Sequence, residues 1–244
     1  MLKMGDDLDG MRGSNMILKL MIGIMCVGLF SIAQAESFLI TDASQIYDVR
    51  IDVACEEDKC GGEAKIVLYQ KGKTKVFQQF ASEDLNFYLP EDRQPTLGET
   101  PMYGDQSGLM FGDFNFDGTE DIAIRSGNNG PYNGPSYEVY VYHKNRNKFV
   151  FSQELSDLTY ENLGMFQVDP KRQRIITFSK GGCCYHAKRE YAVLPQKGLV
   201  LVSESIEDAM RGDDQVAIIQ RDLIRGRWKE TVKLYPLKDI YPDN

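Results

Sequence analysis

The chain has 244 residues and a formal net charge of −8 at neutral pH. That length holds one domain with a real core, even after loss of a leader. The acidic balance excludes nucleic acid as a partner, because phosphates would repel the chain, and favours basic partners instead.

Residues 1–15 (MLKMGDDLDGMRGSN) are polar and acidic, which does not suit the start of a secretion signal. From Met16 the pattern changes to MILKLMIGIMCVGLFSIAQA, in which Lys19 leads an apolar run and Ala33-Gln34-Ala35 forms a small-x-small cleavage site. The reading is a signal peptide over residues 1–35, with Met16 as the true initiator and cleavage after Ala35. The run is too short for a transmembrane helix, so the mature protein is expected to have no membrane span. Cys26 follows Met25, whereas lipoprotein processing wants a small residue there. Removal of the leader leaves the net charge unchanged, because it takes three basic and three acidic residues with it. The mature chain, residues 36–244, is expected in the periplasm as a single domain.

The mature chain keeps Cys55, Cys60, Cys183 and Cys184. An even count in an exported chain points to disulfides. Cys55 and Cys60 bracket EEDK, a spacing that suits a small closed loop. The second pair stays open. A bond between the adjacent Cys183 and Cys184 would be strained, and Cys60–Cys184 is the main rival.

Alternation at period two runs through the chain. YDVRIDVA (47–54), AKIVLYQ followed by KVFQQF, YEVYVYH (137–143) followed by KFVFSQ, RIITFSK, EYAVL, LVLVSE, QVAIIQRDLI and RWKETVKLY all read as strands. ELSDLTYENL (154–163) reads as a short helix, and residues 90–108 as an irregular connection. The expected fold is all-β: an antiparallel meander of nine to eleven strands, forming a sandwich or a small propeller-like domain.

The sequence Asp113-x-Asn115-x-Asp117-Gly118-Thr119-x-Asp121 is the most specific motif. Oxygens spaced by two around a turn can face a common centre, and Gly118 permits the positive φ that reverses the chain. Hard oxygen ligands of this kind select calcium, with Thr119 offering its carbonyl. An EF-hand would carry a carboxylate at position 12 of the loop, where Ile124 stands, so this is not an EF-hand. The plain alternative is an Asp/Asn/Gly turn without metal. Calcium acidifies bound water far less than zinc does, and no nucleophile or base accompanies the loop, so the chain is not expected to be an enzyme.

Next comes RSGNNGPYNGPSY (125–137), too long for a tight hairpin and shaped by glycines and prolines. Ser126, Gly127, Asn128, Asn129, Tyr132 and Tyr137 are its candidate partner-binding residues. Tyr132, between Gly-Pro and Asn-Gly, has the context of an exposed binding anchor rather than a core aromatic. Tyr137 opens the following strand. Cys183-Cys184-Tyr185-His186 has too few neighbouring ligands for zinc, since the other histidine is His143.

Two resemblances rest on these residues. Phe111-Gly112 with the acidic loop resembles the calcium loops of FG-GAP-type β repeats. FGDFNFDGTEDIAI, GPYNGPSYEVYVY, LGMFQVDPKRQRIITF and KGGCCYHAKREYAVL, taken in order, resemble periplasmic lysozyme inhibitors. More narrowly, they resemble immunity proteins against the peptidoglycan-hydrolase effectors of type IV secretion. The resemblance implies an all-β domain with calcium beside an inhibitory loop, and a lysozyme-like glycoside hydrolase, a basic protein, as partner. Asp113, Asn115, Asp117 and Asp121 are then expected to brace the loop from Ser126 to Tyr132, holding it in a fixed shape that blocks the enzyme cleft. Ser126-Gly127 and Tyr132 match the inhibitors' Ser-Gly…Tyr motif, with four residues between Gly127 and Tyr132. The immunity proteins are lipoproteins, and the Met25-Cys26 junction departs from that. The runner-up is a secreted, calcium-dependent module that recognises carbohydrate or protein.

Overall fold

Alternating sequence becomes alternating burial. In the computed structural model, Tyr47, Val49, Ile51, Val53 and Cys55 are buried along one strand, while Asp48, Arg50 and Asp52 between them are partly exposed. The structure describes residues 34–91, 93–95, 97, 107–194, 197–212 and 214–242. The proposed leader, the Met16 start and Cys26 lie outside them, as does most of the 90–108 connection.

Three antiparallel sheets form, each a meander in chain order. The first contains β1 (Gln34–Ile40), β2 (Tyr47–Glu56), β3 (Lys59–Gln70) and β4 (Val76–Ser82), with β5 (Phe87–Tyr88) also paired to β3. The second is β6 (Leu109–Gly112), β7 (Asp121–Arg125), β8 (Tyr137–His143) and β9 (Lys148–Phe151). The third runs β10 (Gln167–Asp169), β11 (Arg174–Lys180), β12 (Tyr185–Leu194), β13 (Gly198–Asp208), β14 (Gln215–Ile224) and β15 (Arg227–Pro236). Helix α1 (Gln153–Glu161) separates the second sheet from the third, and a single turn, α2 (Leu237–Ile240), follows β15.

The all-β expectation therefore holds, in a sandwich arrangement, with more strands than the alternation revealed. Gln34 and Ala35 already pair with Cys55 and Ala54, so cleavage after Ala35 would shorten β1 to begin at Glu36. Among the described residues no helix is long and apolar enough to cross a membrane.

The second sheet is central and buries both faces. Leu109, Ile122, Ile124 and Phe149 enter one core with the first sheet. Met110, Ala123, Tyr137 and Val139 enter a second core with Leu155 and Leu158 of α1 and Ile175 of β11. Successive side chains on a strand point to opposite faces, so burial on both sides demands an unbroken apolar run, which Ile122-Ala123-Ile124 supplies. Aromatic rings fill the first interface. Phe80 meets Tyr140 edge-on at 4.8 Å, and Tyr47 meets Phe149 at 5.5 Å. Gln78 ties the two sheets by acting as a surrogate strand. Its Nε2 donates to the Phe149 carbonyl at 3.1 Å, and its Oε1 accepts the Phe149 N–H at 2.8 Å.

Helix α1 does a similar service on the other side. Ser156 Oγ accepts the Val139 N–H at 2.9 Å, and Thr159 Oγ1 accepts the Tyr137 N–H at 2.9 Å. Helical hydroxyls thus complete the edge of β8 that β9 leaves unpaired, as buried backbone requires.

At the far side of the third sheet, β14 and β15 are joined by Arg225-Gly226, both at positive φ (52° and 76°), the geometry of a tight two-residue hairpin. Strand β15 is exposed along its whole length, and Lys229, Lys233 and Pro236 blunt its free edge against pairing.

Candidate recognition loop and acidic loop

Residues 126–136 join β7 to β8 as a shaped hairpin extension. Ser126 N–H donates to the Ser136 carbonyl and Ser136 N–H to that of Gly127, both at 2.9 Å, which continues the β7–β8 ladder. Gly130 bridges to Gly134 at 3.0 Å. Neither position has room to spare for a side chain. A Cβ on Gly130 would stand 3.1 Å from the Gly134 carbonyl oxygen, and one on Gly134 would stand 2.9 Å from that of Pro131. The tip is the single turn Pro131–Asn133, in which Tyr132 (φ 57°) and Asn133 (φ 58°) are both left-handed. A tyrosine rarely takes that conformation, so its surroundings hold it there.

Those surroundings are specific. The Arg125 guanidinium donates to the Asn86 carbonyl at 3.0 Å and to Asn128 Oδ1 at 2.6 Å. Asn129 Nδ2 donates to the Ser126 carbonyl at 3.1 Å. Ser126 Oγ meets the Tyr160 hydroxyl of α1 at 2.8 Å. The tip rests on the turn between β11 and β12. Gly182 N–H donates to the Tyr132 hydroxyl, and Lys180 Nζ lies 4.5 Å from the centre of the Tyr132 ring.

This geometry redistributes the candidate binding residues. Tyr132 is 57% exposed and stands at the tip, as an anchor should. Asn129 is also exposed, and Asn128 is partly so. Ser126 and Gly127 are buried at the base. The Ser126 hydroxyl is used inside the fold, so a role as a direct contact is corrected to one of holding the loop. Tyr137 is fully buried, and its hydroxyl donates to the Ser107 carbonyl at 2.8 Å. It is a core residue rather than a partner-binding one, and burial raises its pKa well above the ordinary tyrosine range. Loss of the Ser126–Tyr160 bond in Tyr160→Phe should cost about 1 kcal/mol. A thermal melt should then fall by a few degrees.

The acidic loop spans the β6–β7 connection. Asp113 accepts the N–H groups of Asp117 (3.0 Å) and Gly118 (2.9 Å). Asn115 Oδ1 also accepts the Asp117 N–H, at 3.0 Å. Asp117 Oδ1 accepts both the N–H (2.8 Å) and the hydroxyl of Thr119. Gly118 has φ 79°, the reversal its position called for. Lys144 Nζ donates to the Asp117 carbonyl at 2.9 Å.

Asp121 is fully buried and accepts the N–H groups of Phe114 (2.9 Å) and Tyr142 (2.8 Å). Burial pushes its carboxyl up to about 7. The bonds from Tyr142 and Phe114 pull it down, and Asp117 and Asp113 add to the push. Among the described residues no group of three or more His, Cys, Asp or Glu side chains is placed to share a metal ion. What Asp113, Asn115, Asp117, Thr119 and Asp121 do have in common is an all-oxygen donor set, which suits calcium chemically.

The two loops lie at opposite ends of β7. The acidic loop precedes Asp121 and the recognition loop follows Arg125, a separation of roughly 15 Å along the strand. The acidic loop bonds to Tyr142 and Lys144 at the far end of β8. Direct bracing of one loop by the other is therefore corrected. The recognition loop is held by Arg125, Tyr160 and the β11–β12 turn.

That turn contains a bond between Cys183 and Cys184, while Cys55 and Cys60 are joined across the β2–β3 hairpin, where they stand opposite each other. The adjacent pair, left open by spacing, is thus vicinal, and the cross pairing Cys60–Cys184 is absent. Lys180 and Gly182 escape a sequence reading because their contact with Tyr132 joins residues about fifty apart.

No family model matches the chain, and no curated protein does. The fold is similar to a solved structure of a Xanthomonas type IV secretion system related protein. The likeness has a TM-score of 0.61 and 25% identity, and it covers 80% of this chain and 92% of that one.

Proposed function

We propose that the chain is a periplasmic inhibitor of lysozyme-like peptidoglycan hydrolases, acting as an immunity protein in a type IV secretion context. The observation that carries this reading is Tyr132. It is a largely exposed aromatic at the tip of a glycine-shaped hairpin, fixed in a left-handed conformation by contacts on two sides. A preformed aromatic tip loses little entropy on entering a cleft, which is what a tight blocking contact needs. The likeness to a type IV secretion system related protein supports the context at a coarse level.

Electrostatics fit the same partner. Muramidases cleave with paired carboxylates in a cleft. Their basic exteriors would be steered toward a chain of net charge −8. The segment 126–136 that would enter the cleft carries no charged residue, so it brings no like charge to those carboxylates. Two disulfides suit the oxidising periplasm.

Calcium belongs to this proposal as a stabiliser of the β6–β7 corner. Asp113, Asn115 and Asp117, with the Thr119 carbonyl, would hold it, and Asp121, whose two oxygens already accept the Phe114 and Tyr142 N–H groups, would stand behind them as a nearby negative charge. A dication there would offset the mutual repulsion of three carboxylates. Added calcium should raise the thermal midpoint and a chelator should lower it. An identical midpoint in both would remove calcium from the account.

The inhibitor reading is tested by the rate at which a panel of muramidases clears a peptidoglycan suspension, with and without the chain. Slower clearing supports it. Unchanged clearing by every muramidase, together with binding to a glycan array, would favour a carbohydrate-recognition module. Clearing by the chain alone would mean a hydrolase.

A further inference from the structure

The turn between β11 and β12 supports Tyr132 and also presents its own surface beside the tip. Gly182 and Cys183 are exposed, and Cys184 and Lys180 are partly so. The turn is held at both ends. Gly181 N–H donates to the Tyr185 carbonyl at 2.8 Å, and Ala209 N–H donates to the Cys184 carbonyl at 2.7 Å. Between those ends the Cys183–Cys184 bond closes a small ring. That ring follows directly on Gly182, whose N–H reaches the Tyr132 hydroxyl. Lys180, on the other side of the same turn, sits over the Tyr132 ring, a contact that holds a cation and an aromatic together.

We propose that the Cys183–Cys184 turn and the 126–136 hairpin form one composite recognition surface. In it the disulfide turn is a positioning element for Tyr132, and Lys180 is a contact for an acidic cleft. The partner chemistry follows from charge. Residues 126–136 are uncharged and the segment 180–185 contains Lys180 as its one charged residue, so these two segments carry +1 on a chain of net −8. A cation beside an exposed aromatic matches a sugar-binding cleft with carboxylates at its floor. The partner half of the proposal rests on the inhibitor reading, whereas the coupling between turn and hairpin does not.

Two measurements separate these halves. Hydrogen–deuterium exchange on the full chain tests the coupling without a partner. In the double variant Cys183→Ser, Cys184→Ser, exchange at residues 128–134 should quicken several-fold. Strands β7 and β8 should stay as protected as in the wild type, which shows that the fold is kept. Unchanged exchange at 128–134 would overturn the positioning role. The second measurement is an inhibition titration against whichever panel muramidase the wild-type chain inhibits most strongly. Lys180→Glu should weaken inhibition about tenfold or more, and Lys180→Arg should retain it. Equal inhibition by Lys180→Glu and wild type would overturn the Lys180 contact. If the wild type inhibits no muramidase, the inhibitor reading and the Lys180 contact fail together, and the exchange result alone decides the coupling.

Discussion

Replacing Tyr132 by Ala should weaken inhibition of the target muramidase by about 30- to 1,000-fold, the loss expected when a central aromatic anchor is truncated. The fold should survive, because Tyr132 is 57% exposed and lies outside both hydrophobic cores. Its thermal midpoint should stay within a few degrees of wild type, as for most surface changes. Tyr132→Phe separates the two contacts that hold the ring. It keeps the ring beneath Lys180 and loses only the bond from Gly182. A loss of several-fold, well short of the Ala variant, is expected from one hydrogen bond of ordinary strength. Equal inhibition by wild type and Tyr132→Ala, measured by titration of peptidoglycan clearing, would move the contact surface elsewhere on the molecule.

The largest stability effect should come from Asp121→Ala. The carboxylate is fully buried and accepts two backbone N–H groups, from Phe114 and Tyr142. Ala leaves both donors buried and unpaired, at about 1–3 kcal/mol each. The midpoint should drop by roughly 10 °C for a domain of this size. Asp121→Asn keeps one oxygen acceptor and should lose about half as much. The acidic and recognition loops lie at opposite ends of β7, so Asp121→Asn protein that remains folded should still inhibit. A midpoint for Asp121→Ala within a degree of wild type would contradict the part assigned to this carboxylate.

These expectations draw on features that differ in how far the chain announced them. YEVYVYH and RIITFSK read as strands with the bounds they have in the structure, the first from its alternation and the second from its β-branched and aromatic run. Cys55 and Cys60 were legible from spacing alone, since a hairpin that short leaves the two side chains facing each other. Strands β5, β6 and β10 were not legible. At two, four and three residues they are too short to display a period, and pairing with longer neighbours defines them.

In the recognition loop the exposed Tyr132 was legible from its Gly and Pro neighbours. The burial of Ser126 was not, because a serine in a polar loop gives no sign that a helix hydroxyl, Tyr160, will take up its Oγ. The two-loop arrangement around β7 was misread for a related reason. Nearness in sequence suggested nearness in space, but an extended strand carries its two ends apart. The Cys183–Cys184 turn reaches Tyr132 only through the third sheet, and such a contact leaves no local pattern.

The central claim is that the hairpin tip blocks a peptidoglycan hydrolase. It is tested most directly by titrating the chain into each muramidase of a panel and following clearing of a peptidoglycan suspension. The account predicts that the activity of at least one falls in proportion to added chain and is lost near one molar equivalent, with Tyr132→Ala leaving it largely intact. Full activity of every muramidase at a tenfold excess of wild-type chain would contradict it.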